Sequence, residues 1–92
     1  MPEMTFTVRW PDGVASQCYS PSLVVHDHLG TGPYSVGDFV SRSRTALTIA
    51  SERVRAKYGF ACTSAMDQLE QIEQTAARFD RSAQVTVLEL SS

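Results

Sequence analysis

Apolar and polar residues alternate at the start of the chain. Met4, Phe6, Val8 and Trp10 are apolar, and Thr5, Thr7 and Arg9 stand between them. This is the period-two pattern of a strand with one buried face. Trp10-Pro11-Asp12-Gly13 then predicts a tight turn. Proline presets φ at the first central position, and Gly13 can take the left-handed backbone that closes a type I turn with a bulge. Val14 to Tyr19 reads as the second strand of this hairpin, with Cys18 on the same face as Val14. Ser20-Pro21 reads as a helix start, because serine caps orphan amides and proline suits the first helical position. A short helix from Pro21 to Leu29 would stop at Gly30. An irregular strand through Leu23 to His26 is the competing reading. Gly30-Thr31-Gly32-Pro33 reads as a loop.

The period then changes to that of a helix. Ser35 with Asp38 resembles a capping box, with aspartate in place of glutamate. Phe39, Val40, Leu47, Ala50, Val54 and Tyr58 recur at spacings of three, four and seven, which makes one buried helical face. Gly59 marks the end. Ser64 and Asp67 make a second box, followed by a stripe of Met66, Leu69, Ile72, Ala76 and Phe79. Val85 to Leu90 is β-prone. Val85 and Val87 share one phase while Leu88 and Leu90 share the other, so this strand is either covered on both faces or interrupted by a bulge. The expected architecture is a small two-layer α+β domain over residues 1–92, in the order β-β-(α)-α-α-β. A three-stranded antiparallel sheet, hairpin plus C-terminal strand, carries two long helices on one face.

Composition narrows the class. In 92 residues, 42% are hydrophobic and 20% charged, which is ordinary globular usage, and the length suits one core rather than two. The net charge of −2 gives no field that would draw the molecule to nucleic acid or an anionic membrane. No apolar run reaches the ~20 residues of a membrane span, and MPEMTFTVRW lacks the basic start and apolar core of an export signal. Two cysteines in such a chain read as free thiols, and the expected setting is the cytoplasm.

Few residues could carry chemistry. Cys62 precedes the second long helix, where amide dipoles favour a thiolate; as a small apolar residue it would instead anchor the helix start. His26 and His28, in VHDHL, would align only on a strand. No further ligand completes a metal site with them, and two solvated histidines are the plainer reading. On the first long helix, Arg42 and Arg53 are eleven residues apart and so fall about 20° apart in azimuth. Arg44 and Arg55 repeat that relation on the other flank of the apolar stripe. These arginines either border the core with solvated heads, some paired to the acidic second helix, or grip an anion or a partner's acidic patch. No exposed aromatics interleave with them, which argues against nucleic acid. No catalytic constellation and no cofactor motif are present. Ile49 and Ala56 form an apolar pair away from the expected core, which raises self-association as a homodimer.

Three blocks, MTFTVRWPDG, CYSPS and SRSRTALTIASERVRAKYGFACTSA, resemble a small bacterial family of nitrogen-starvation response proteins. The resemblance implies a gene cluster shared with a nitrilase, a radical SAM enzyme, a flavoprotein and an acetyltransferase-like protein. It implies nitrile- or cyanide-linked nitrogen assimilation and cluster-encoded enzymes as partners, and it assigns no catalytic residue. The leading expectation is a non-catalytic accessory protein docking on such an enzyme. A small thiol-dependent enzyme or carrier using Cys62, and a self-associating regulator, are the alternatives.

Overall fold

A computed structural model describes residues 3–59 and 63–91. Four strands form one antiparallel sheet: β1 Met4–Arg9, β2 Ala15–Ser20, β3 Gly32–Ser35 and β4 Gln84–Ser91, in the spatial order β2-β1-β4-β3. Helices α1, Val36–Tyr58, and α2, Thr63–Ala76, cover one face. The alternation in β1 holds: Met4, Phe6, Val8 and Trp10 are buried against the helices, and Arg9 is exposed on the open face.

The sheet has one strand more than the three expected. Gly32 to Ser35, read as the end of a loop and a helix cap, pairs with Gln84 to Val87. Its Gly-Pro start imitates a breaker. On an edge strand, however, proline needs no ladder N–H, and the pairing comes from distant residues of β4.

The hairpin turn is as expected, with Gly13 N–H bonded to the Trp10 carbonyl at 2.9 Å and Gly13 at φ 86°. The second strand starts one residue later than the sequence suggested. Val14 closes the turn by accepting from Trp10 N–H and is 57% exposed there, whereas Cys18 is buried.

The predicted Pro21–Leu29 helix shrinks to a 3-10 helix, Leu23–Asp27, and the competing strand does not form. Its cap is Ser22, whose hydroxyl accepts from Val24 N–H, and Ser20 belongs to β2. The Ser20 hydroxyl accepts from Ser22 N–H and donates to the Ser22 carbonyl, which consumes the group expected to cap a longer helix.

Helix α1 follows the periodic reading closely. Ser35 caps it by accepting from Asp38 N–H at 3.2 Å, and Gly59 stops it in the left-handed conformation at φ 80°. Tyr58, expected in the stripe, is instead exposed. In α2, Leu69, Ile72 and Ala76 are buried as expected, but Met66 is 37% exposed and Ser64 lies inside the helix rather than at its cap. Phe79 follows α2 and still packs on the core, stacked on Trp10 with ring centroids 5.9 Å apart.

The phase conflict in β4 resolves as a bulge. Thr7 pairs with Glu89 and Val8 with Val87, so Leu88 has no counterpart on β1. That extra residue shifts the phase and returns Leu90 to the core side with Val85 and Val87.

Candidate functional site

Helix α1 positions the four arginines; the first pair given by their spacing stays together, and the second is split. Arg42 and Arg53, on one azimuth, both turn to the 3-10 segment. Arg42 donates through Nη1 to the His28 carbonyl at 3.1 Å and through Nε to Asp38 at 3.0 Å, with its guanidinium 5.4 Å from the centre of the Tyr34 ring. Arg53 donates to the Ser22 hydroxyl at 3.2 Å. Ser22 and His28 are the two caps of the 3-10 helix, so the pair brackets an element with little stability of its own. These guanidiniums are held by the chain itself.

Arg44 reaches across to α2 and meets Glu73 at 2.6 Å, the pairing expected from the opposite charges of the two helices. Arg55 is exposed in the last turn of α1 beside Lys57 and Tyr58, and no ion pair holds it among the described residues.

Arg44 also borders a cleft of 370 Å³ between the first turns of α1, the end of α2 and the loop before β4. Val36, Val40, Ala76 and Phe79 supply apolar lining, and Arg44 and Arg81 supply charge. Arg81 has no place in the sequence-based site because its loop carries no periodic signal. The loop is nevertheless tied to α1: Val36 N–H donates to the Ala83 carbonyl at 2.8 Å and Gly37 N–H to the Arg81 carbonyl at 3.0 Å. Within it, the Asp80 carboxylate accepts from the backbone and hydroxyl of Ser82, which holds its pKa below the usual carboxylate value. Gly37 is not among the left-handed glycines, so its role is spatial. A Cβ there would lie 3.0 Å from Arg81 Nε and 3.2 Å from Nη2. The missing side chain is what lets the Arg81 side chain lie against the helix.

Of the thiols and histidines, Cys18, His26 and His28 lie among the described residues. Cys62 lies outside the described residues. Cys18 is buried beneath α2, and burial pushes its thiol from 9.0 up to about 12, which keeps it neutral. His26 is exposed, and His28 caps the 3-10 helix. Among the described residues no group of three or more His, Cys, Asp or Glu is placed to hold a metal. Nor is any helix there long and apolar enough to cross a membrane.

Sheet, helix pair and cleft together define an α+β protein with helices on one face of an antiparallel sheet and a basic-rimmed recess at one end. The chain belongs to the family described as nitrogen starvation-induced protein NitG, whose model matches residues 5–90. The match runs from β1 into β4 and bears out the nitrogen-starvation resemblance of the three sequence blocks. Comparison with curated proteins and with solved structures gave no match.

Proposed function

We propose that this protein is a non-catalytic accessory component of the nitrogen-starvation response that docks on an enzyme of nitrile-linked nitrogen assimilation. The contact surface is the end of the helix pair that carries Arg55, Lys57, Tyr58 and Met66. The observation carrying this reading is that Arg55, Lys57 and Tyr58 are exposed at the end of α1, with Lys57 Nζ 5.8 Å from the centre of the Tyr58 ring and Tyr58 at 51%, and that Met66 in the first turn of α2 is 37% exposed. Cations in the last turn of α1 also complement the helix dipole. The dipole does not account for the exposed tyrosine and methionine, residue types enriched with arginine at protein interfaces. The fitting partner surface is acidic with an apolar centre.

Co-purification with each enzyme of the expected gene cluster, followed by binding measurements, tests this. Association at micromolar concentrations should weaken at least tenfold in an Arg55→Glu/Lys57→Glu double variant and should fall with rising salt. No association with any of these enzymes at such concentrations overturns the proposal.

A further inference from the structure

The cleft at the opposite end of α1 takes no part in that docking surface. We infer that it is a binding site for a small organic anion, a carboxylate on a compact apolar body such as a single ring. The body lies on Val36, Val40, Ala76 and Phe79 and the carboxylate meets the guanidiniums of Arg44 and Arg81. The volume of 370 Å³ falls near the lower end of the roughly 300–1,000 Å³ span of small-molecule sites.

Charge and space both point to this chemistry. No hydrogen bond or ion pair engages the Arg81 side chain among the described residues. Arg44 gives only Nη2 to Glu73, which leaves Nη1 and Nε for another acceptor. The neighbouring Asp80 carboxylate accepts from Ser82 through Oδ1 and forms no ion pair with Arg81 among the described residues. A planar guanidinium matches a carboxylate with two parallel hydrogen bonds. Phosphate sites at helix starts rely on unpaired amides. Here the first amides of α1 are already bonded, Val36 and Gly37 to the loop and Asp38 to Ser35. Side chains must therefore supply the recognition, beside an apolar floor that disfavours a strongly hydrated dianion. A cleft this small holds a ring and its carboxylate rather than a length of polypeptide.

Titration of the labelled protein with benzoate, followed by backbone amide NMR, tests the assignment. Amides of Val36, Gly37, Val40, Ala77 and Arg81 should shift together. Benzamide, acetate and inorganic phosphate, which lack the charge, the body and both the body and the single charge respectively, should each bind about fivefold more weakly or worse. Arg81→Met should cost a similar factor. Gly37→Ala should also weaken binding while leaving the amide dispersion native, because its methyl displaces only the flexible end of Arg81. Arg55→Glu should leave benzoate binding unchanged, so docking and ligand binding fail separately. Equal binding of benzoate and benzamide, equal binding of phosphate, an undiminished Arg81→Met, or shifts clustered away from the cleft would each overturn the inference. So would a peptide ending in phenylalanine that binds far more tightly than benzoate, since the occupant would then be a polypeptide terminus.

Discussion

Trp10 joins β2, α1 and the segment after α2. Its ring meets Phe39 of α1 edge-on, with centroids 5.6 Å apart, and stacks on Phe79 beyond α2, while its Nε1–H donates to the Ser16 hydroxyl on β2. Two other buried residues give tests at this scale. Because the Cys18 thiol titrates higher in the folded protein, its burial contributes stability that is complete below pH 9.0 and is lost as pH rises toward about 12. Iodoacetamide at pH 8 should therefore label Cys18 much more slowly in the native protein than in denaturant, as read by mass spectrometry of its peptide. Ser43, 1% exposed on α1, has a hydroxyl with no hydrogen-bond partner among the described residues. Ser43→Ala should leave the melting point unchanged or raise it, with a gain of up to about 1 kcal/mol, since an unpaired buried hydroxyl is a cost. Neither residue stands out in the sequence: Cys18 is an apolar position on a strand and Ser43 a small residue on a helix.

Elements differ in how much of their origin is local. Helix α1 was legible because 23 residues repeat one period between a serine cap and a glycine stop. Gly59→Ala should destabilise the protein by about 1 kcal/mol in urea unfolding, because alanine resists the left-handed backbone that ends the helix. The bulge in β4 was half legible, since its two apolar phases could mean either a bulge or burial on both faces, and only pairing with β1 selects one. Strand β3 was not legible. Its four residues include glycine and proline, and it exists because β4 offers an edge. The 3-10 helix follows the same logic, with Arg42 and Arg53 of α1 holding its two ends.

For the whole molecule, β1 is central because it pairs with β2 beside it and with β4 from the far end of the chain. The core on its helix face is one cluster joining β1, β2 and β4 to both helices. Phe39 lies fully buried within it, so Phe39→Ala should cost about 3–5 kcal/mol. Against a total of roughly 5–15 kcal/mol for such a domain, that would leave a marginal fold, seen as a large drop in urea midpoint. Local sequence determined the hairpin, the two long helices, the strand at the end and the opposite charge of the helices, because each rests on periodicity or a cap within a few turns of chain. The tertiary structure alone decided the fourth strand, the exposure of Tyr58 and Met66, and the fate of each arginine. It spent Arg42 and Arg53 on the 3-10 helix and brought Arg44 near Arg81. The physical reason is that edge pairing, guanidinium partners and clefts depend on residues distant in sequence, and no local period encodes which of those will meet.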